Sequence, residues 1–190
     1  MSYSRYMCKE SIRLDLTPSW QTGLPLESDE YEAGDEGGEG EESEDGEEDE
    51  PDATPIRKVK EIVMREMADL LFASGKISNF KKFANDLVYV ERRSTSAIGE
   101  GVVIPHLRCL HTKSLIMGFA RYSPEFEFGA PDNQGVQLFI PMIAPTYDDR
   151  LYLRIYRSIA KAFLETAVKQ LLLDVQEPGE VIRIFNDYFQ

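Results

Sequence analysis

An acidic tract divides this 190-residue chain into two parts that differ in what they can contribute to a fold. Residues 27–52 hold 16 of the 34 Asp and Glu side chains and none of the 21 Lys and Arg side chains. Glu, Asp, Gly and Ser make up most of the tract, so it has almost nothing to bury and its charges repel one another. We therefore expect a disordered insert at 27–52, with the core built from the residues on both sides of it.

The formal net charge of −13 is a property of that tract, because the remaining residues carry 18 acidic against 21 basic side chains. The sign of the tract excludes a nucleic-acid-binding arm, and no nucleic-acid partner is expected. It also lacks the alternating oxygen ligands and closing glutamate of an EF-hand loop. Two interpretations stay open: a solvated loop, or an electrostatic lure or lid for a basic partner.

Length and composition limit the class of protein. Outside the tract the chain is long enough for one hydrophobic core. No apolar run approaches the roughly 18 residues that a membrane-spanning helix needs, and residues 1–16 lack the apolar region of a signal peptide. We expect a cytoplasmic protein without membrane insertion. Cys8 and Cys109 have neither metal-ligand nor disulfide-framework spacing, so reduced thiols, no metal site and no cofactor are expected.

Apolar periodicity predicts strands and helices in the order of a layered α/β protein. The strict alternation over 11–16 is typical of an edge or antiparallel strand. Further strands are predicted at 102–104, 114–120 and 136–143. Helices are predicted at 55–75, from a Ser78 cap to about 88, from 148 to about 172 with a break near the middle, and at 178–188. The predicted fold is a single α/β domain with a small mixed β-sheet flanked by helices.

The stretch from Ser96 to His106 combines a turn, a short strand and an imidazole. Gly99 and Gly101 permit backbone conformations closed to other residues and let N–H groups approach an anion closely. Pro105 fixes its own φ and biases Ile104 toward an extended conformation. We therefore expect the strand at 102–104 to end at this proline and to present His106, a potential nucleophile, at its mouth.

The order of elements and the sequence Ala-Ile-Gly-Glu-Gly-Val-Val-Ile-Pro-His, ending at His106, resemble the type 2 enzyme IIA domain of the bacterial phosphoenolpyruvate-dependent sugar phosphotransferase system, in its fructose/mannitol and nitrogen-regulatory group. Further similar pieces lie at 75–80, 141–145 and 153–160. The resemblance runs from Cys8 to about Tyr188.

This resemblance also implies a domain organisation. Residues 1–26 form the first strand and the start of the enzyme IIA-like domain, and residues 53–190 form its remainder. The acidic tract at 27–52 interrupts the domain where the family passes directly from its first strand to its first helix.

In that family the histidine after Ile-Pro accepts a phosphoryl group from a small phosphocarrier protein, HPr, and passes it to a IIB domain or acts as a phosphorylation-dependent regulator. The resemblance therefore implies that His106 is the phosphoryl acceptor, with an HPr-like donor and a IIB domain or a regulated protein as partners. The family also carries an arginine upstream and a second histidine near the acceptor. By spacing these positions fall on Val90 and Tyr152.

These two departures leave two hypotheses open, a phosphocarrier or regulatory protein and a degenerate binding module that regulates partners without phosphotransfer. Enzymatic activity depends on which of them holds. Phosphoryl transfer requires donors and cations around the moving phosphoryl group. Candidates are the N–H groups of the Gly99–Gly101 turn, the hydroxyl groups of Thr95, Ser96 and Tyr152, and Arg92 or Arg93, with Arg150 and Arg154 near Tyr152. His111 is interpreted as a surface residue.

Overall fold

The computed structural model describes residues 2–18, 55–165 and 167–189. The predicted insert at 27–52 lies outside the described residues, so the structure does not bear on its predicted disorder. The parts of the chain on either side of it belong to one sheet, because the first strand pairs with a strand that follows the second helix. The expectation of a single α/β domain with a mixed sheet flanked by helices is confirmed.

The described residues form seven strands and five α-helices, preceded by a short 3-10 helix at Tyr3–Arg5. In chain order the elements are β1 (Met7–Leu16), α1 (Pro55–Phe72), α2 (Phe80–Arg93), β2 (Ala97–Gly99), β3 (Val102–Val103), β4 (His106–Cys109), β5 (Ile116–Phe126), β6 (Val136–Phe139), β7 (Met142–Pro145), α3 (Asp149–Glu165), α4 (Val168–Asp174) and α5 (Pro178–Tyr188).

The sheet is organised around β5, which pairs in parallel with β1 and antiparallel with β6 and β7. Next, β3 pairs in parallel with β6, and β4 pairs in parallel with β7. The short β2 closes the sheet beside β3 in an antiparallel pair. Within the described sheet β1 has a single neighbour, so its predicted edge position is correct, although its direction is parallel.

Two prolines in register interrupt the sheet beside His106. Val102 faces Leu138 and His106 faces Met142, so one constant offset relates the β3–β4 segment to the β6–β7 segment. The same offset sets Pro105 opposite Pro141. Neither proline has an N–H to donate, so the ladder is broken at the same level in both segments.

The prediction that the strand ends at Pro105 is therefore only partly correct. Strand β3 does stop before the proline, but pairing resumes at once because the Pro105 carbonyl accepts the Met142 N–H at 2.8 Å. His106 begins β4 rather than standing free at a strand mouth.

Other boundaries differ from the sequence prediction for reasons of burial and backbone chemistry. The strand predicted at 114–120 runs on to Phe126, because Tyr122 and Phe126 pack with Phe139 in an aromatic cluster that overrides the local turn signals. The strand predicted at 136–143 is split at Pro141. Helix α2 is capped by Asn79, whose side chain accepts the Lys82 N–H, and not by the predicted Ser78.

Two cores lie on opposite faces of the sheet. Helices α1 and α2 pack on one face against side chains such as Val103 and Ile143. Helices α3, α4 and α5 pack on the other, against Ile104 and Met142. A break in the long helical segment is confirmed by the separation of α3 from α4, but it follows Glu165 and so lies nearer the end of the predicted 148–172 segment than its middle. Since side chains alternate along a strand, His106 lies on the α3 face and Leu107 on the α1–α2 face.

Candidate functional site

His106 is held through one ring nitrogen. Its Nδ1 lies 2.7 Å from the carbonyl oxygen of Ile104. A carbonyl oxygen only accepts hydrogen bonds, so Nδ1 carries the proton in this contact and Nε2 of the neutral ring carries the lone pair. The side chain is half-buried. The structure therefore presents a single oriented nucleophilic nitrogen at the beginning of β4.

The direction of the Ile104 carbonyl explains why it is available to the ring. Successive carbonyl groups along a strand point to opposite sides. Those of Val103 and Pro105 point to the neighbouring strands, where they accept the N–H groups of Ile140 and Met142. The intervening Ile104 carbonyl points the other way, and it is the acceptor for the His106 ring.

Two tyrosines of α3 flank the imidazole. The ring centroids of Tyr156 and Tyr152 lie 4.9 Å and 6.1 Å from that of His106. Burial raises the pKa of Tyr152 to about 12 and also raises the pKa of Tyr156. Both phenols are thus neutral hydrogen-bond donors at neutral pH. Tyr152, which the resemblance places by spacing at the family's second histidine, lies beside His106.

Arg108 stands two residues after His106 on the same face of β4, since strand side chains alternate. Its guanidinium carbon lies 5.8 Å from the centroid of the Tyr152 ring. Its Nη1 donates to Asp149 in the first turn of α3. The Asp149 carboxylate raises the pKa of Arg108. A guanidinium and a nucleophilic imidazole therefore share one aromatic neighbour.

The predicted hydroxyl ligands have other partners. Ser96 donates from both its N–H and its Oγ to Glu91, with the N–H contact at 2.9 Å, and Thr95 Oγ1 donates to the same carboxylate at 3.1 Å. The Lys60 ammonium completes this group at 3.1 Å. Glu91 is 4% exposed. The structure thus uses Ser96 and Thr95 to satisfy a buried carboxylate and does not bring their hydroxyl groups to His106.

Arg92 and Arg93 of α2 also have partners away from His106. Arg92 donates to Glu61 of α1 from Nε at 3.0 Å and from Nη2 at 2.8 Å. Arg93 donates to the Tyr89 hydroxyl at 2.8 Å and lies over that ring. Both belong to the α1–α2 layer, whereas the His106 ring faces α3. Val90, which the resemblance places by spacing at the family's arginine, also lies on α2.

The glycine turn has the predicted backbone but a different partner. Gly99 and Gly101 have φ values of 90° and 73°, in the region that favours glycine. The intervening Glu100 N–H donates to Asp132 at 2.7 Å, and this bond lowers the pKa of that carboxyl. The turn joins β2 to β3 at the end of the hairpin away from Pro105. Its N–H groups are therefore not the anion ligands expected beside His106.

Sequence reasoning overlooked several neighbours of the site. Arg108 could have been found from its i+2 spacing to His106, and Tyr156 from its i+4 spacing to Tyr152 on a helix. The structure also corrects the placement of His111, whose Nε2 lies 3.0 Å from Asp86 and whose side chain is only 12% exposed. This histidine is part of the packing between α2 and the loop after β4.

Other chemistries find little support in the described residues. No three His, Cys, Asp or Glu side chains within 2–18, 55–165 and 167–189 are grouped as a metal ion would require. Burial raises the pKa of the Cys109 thiol, which disfavours a reactive thiolate. Across the same part of the chain, no helix has the length and apolar character needed to cross a membrane.

Comparison with known families gives a match over most of the chain. The family model for the phosphoenolpyruvate-dependent sugar phosphotransferase system, EIIA 2, matches residues 54–188. The fructose-specific EIIABC component of the phosphotransferase system from Bacillus subtilis is 23% identical over 131 residues, which are 69% of this chain. The match spans 21% of the length of that larger protein.

Solved structures share the fold. The nitrogen regulatory protein IIA-Ntr from Neisseria meningitidis superposes with a TM-score of 0.68 at 20% identity, covering 95% of this chain and 97% of its own. Enzyme IIA-mannitol from Escherichia coli, in its complex with phosphorylated enzyme IIB-mannitol, superposes with a TM-score of 0.55 at 17% identity, covering 67% of this chain and 87% of the other. At these identities the likeness establishes the fold and nothing finer.

Proposed function

Because this chain belongs to the EIIA 2 family of the phosphoenolpyruvate-dependent sugar phosphotransferase system, we propose that it is a phosphocarrier or regulatory protein of such a system and that His106 is its phosphoryl acceptor. The observation that carries the proposal is the contact from Nδ1 of His106 to the Ile104 carbonyl. This contact selects the tautomer in which Nε2 has the lone pair that attacks phosphorus.

The transfer exchanges one bond to phosphorus for another. The Nε2 lone pair forms a new P–N bond as the bond between phosphorus and the phosphorylated donor breaks, and the electron pair of that bond stays with the donor. The Nδ1 proton remains in its bond to Ile104. Orientation of the ring before the reaction removes part of the entropic barrier, because Nε2 does not have to be positioned again in each encounter.

The partners follow from the role. An HPr-like phosphocarrier is the proposed donor, and a IIB domain or a regulated protein is the proposed recipient or target. The enzyme IIA-mannitol structure was solved in a complex with phosphorylated enzyme IIB-mannitol, which supports a IIB-type partner for this chain. The proposed location is the cytoplasm, where such exchange between separate proteins takes place.

A second candidate function is a binding module that keeps the fold and regulates partners without phosphotransfer. Two observations favour it: Val90 and Tyr152 occupy the positions of the family's arginine and second histidine, and Arg92 is paired with Glu61. Tyrosine donates a hydrogen bond but carries no charge at neutral pH, so it replaces a cationic histidine incompletely.

Intact-protein mass spectrometry distinguishes the two functions. The chain is incubated with phosphoenolpyruvate, enzyme I and HPr at neutral to alkaline pH, because phosphohistidine is labile to acid. The phosphocarrier function predicts the gain of one phosphate in the native chain and no gain in His106→Ala.

His111→Ala is the matched control, since it removes the other histidine of the chain and should leave the phosphate gain unchanged. A native chain that stays folded and gains no phosphate, with donors that phosphorylate a reference enzyme IIA, would favour the binding module. A gain that persists in His106→Ala would assign the acceptor elsewhere.

A further inference from the structure

The position that carries an arginine in the family holds Val90 here, so a phosphoryl group on His106 lacks that cation. Phosphoryl transfer leaves negative charge on the equatorial oxygens, which a guanidinium stabilises by two parallel hydrogen bonds. Some other positive group of the chain must therefore neutralise the charge if His106 carries a phosphoryl group efficiently.

Arg108 is a cation that the structure places beside this site. Its guanidinium carbon lies 5.8 Å from the centroid of the Tyr152 ring, one of the two rings that flank His106. Neighbours at i and i+2 on one face of a strand are about 7 Å apart at Cα, and a long arginine side chain spans that distance.

We propose that Arg108 is the phosphoryl-binding cation of this site and that Asp149 holds it until His106 is phosphorylated. This inference rests on the proposed function, because it concerns a phosphoryl group on Nε2 of His106. It assigns a role to a residue that lies at neither of the family positions discussed above.

The contacts of Arg108 permit such an exchange of partners. Its side chain is 47% exposed and that of Asp149 is 55% exposed, so neither is locked by packing. The guanidinium carbon lies 5.8 Å from the centroid of the Tyr152 ring, which also neighbours His106, so a change of rotamer can carry the guanidinium from Asp149 toward the imidazole. A phosphoryl group with nearly two negative charges competes well against one exposed carboxylate.

Asp149 can give up its partner at little cost. It lies in the first turn of α3, where the helix dipole and free backbone N–H groups favour a negative charge. After the exchange its carboxylate is left unpaired close to His106. The charge pattern at the start of α3 then differs between the two states, and a docking partner can recognise that difference.

Phosphoramidate is a suitable probe because it phosphorylates histidine without a protein donor. The P–N bond of the reagent breaks, ammonia leaves, and phosphorus becomes bonded to Nε2. The full-length chain is incubated with phosphoramidate, and the rate of phosphate gain and the rate of its later hydrolysis are followed by intact-protein mass spectrometry.

We expect Arg108→Gln to slow phosphorylation by about tenfold to a hundredfold. The effect should be no larger, because one hydrogen-bond donor to the transition state is lost and the site is exposed. Arg108→Lys should recover part of the rate, since an ammonium retains the charge but not the paired geometry. Asp149→Asn should accelerate phosphorylation by about two- to fivefold, because an exposed ion pair no longer holds the guanidinium. The matched control is Arg157→Gln, an exposed arginine on α3, which should change the rate by less than about twofold.

A direct readout complements the rates. In the NMR spectrum of the native chain, the Nε–H resonance of Arg108 should shift on phosphorylation, and the same shift should be missing in His106→Ala. Equal rates for native chain and Arg108→Gln, or an Arg108 resonance that does not move, would overturn the inference while leaving His106 as the acceptor. A native chain that gains no phosphate from phosphoramidate or from the protein donors would overturn the proposed function and this inference together.

Discussion

Two polar groups of this molecule, one around Glu91 and one around His106, differ in how completely their hydrogen-bonding capacity is used. Both oxygens of Glu91 are engaged, by Lys60 and Thr95 on one side and by Ser96 on the other. The His106 ring uses only Nδ1 and leaves Nε2 without a described partner. Buried and saturated groups stabilise a fold, whereas a half-buried group with a spare lone pair is available for chemistry.

Several groups that stand close to His106 in sequence contact other parts of the fold. Thr95, Ser96 and the Gly99–Gly101 turn stand close to His106 along the chain, yet Thr95 and Ser96 donate to the Glu91 carboxylate and the Glu100 N–H of the turn donates to Asp132. Arg108 and Asp149, which are 41 residues apart, meet beside the ring neighbours of His106. Proximity in sequence to His106 therefore predicted the wrong neighbours for its ring.

Alanine substitutions at Glu91 and at His106 should differ strongly in their effect on the free energy of unfolding. Glu91→Ala leaves the Ser96 N–H and the largely buried Lys60 ammonium without their acceptor, so we expect a loss of about 3 kcal/mol in the free energy of unfolding. His106→Ala should cost less than about 1 kcal/mol, since it removes one side-chain hydrogen bond. Urea denaturation of both variants measures the difference, and equal losses would remove the distinction between the two groups.

Gly101→Ala tests whether the glycine turn is structural. The added Cβ would lie 3.2 Å from the Gly135 carbonyl oxygen at a φ of 73°, so strain of about 1 to 2 kcal/mol is expected in the free energy of unfolding. The rate of phosphorylation of the folded fraction should stay within about twofold of the native rate. Gly75→Ala, also at positive φ but with nothing within 4 Å of the added Cβ, controls for backbone strain alone. A much slower phosphorylation with normal stability would return the turn to the functional site.

Tyr152 can be tested through the pH dependence of the free energy of unfolding. Its folded-state pKa is raised to about 12, above the ordinary value of 10.0, so the phenol ionises first in the unfolded chain. Its contribution to stability is therefore complete below pH 10 and is lost as the pH rises from about 10 through 12. Between pH 9 and 11 the native chain should lose about 1 kcal/mol more of its unfolding free energy than Tyr152→Phe loses. Identical pH profiles in urea denaturation would contradict this assignment.

Deletion of residues 27–52 should have the smallest effect on stability. The tract offers almost no apolar side chains to a core, so the free energy of unfolding should change by less than about 0.5 kcal/mol. Thermal melting followed by circular dichroism measures it. A large fall in the melting temperature would show that the domain does not consist of the two flanking parts alone.

Much of the fold could be predicted because local chemistry determined it. The final helix follows from its apolar period and from Pro178 in its first turn, and its observed bounds match the prediction. Gly99 and Gly101 adopt the positive φ values that glycine permits. The extension of β5 to Phe126 could not be predicted, because Ser123-Pro124-Glu125 is typical of a turn and only burial of the flanking aromatic residues, Tyr122 and Phe126, makes it part of a strand.

The identity of the candidate nucleophile follows from local features of the sequence, the Ile-Pro-His order and the glycine turn. The groups around it are set by the tertiary structure. The Ile104 carbonyl is free to hold Nδ1 because it points away from Ile140 and Met142, whose N–H groups donate to Val103 and Pro105 on the other side of the strand. Tyr152, Tyr156 and Arg108 gather at the ring because α3 packs on the face of the sheet to which His106 and Arg108, the even-numbered members of β4, point. Such contacts depend on how distant elements align, and the periodicity of any one element carries no information about that alignment.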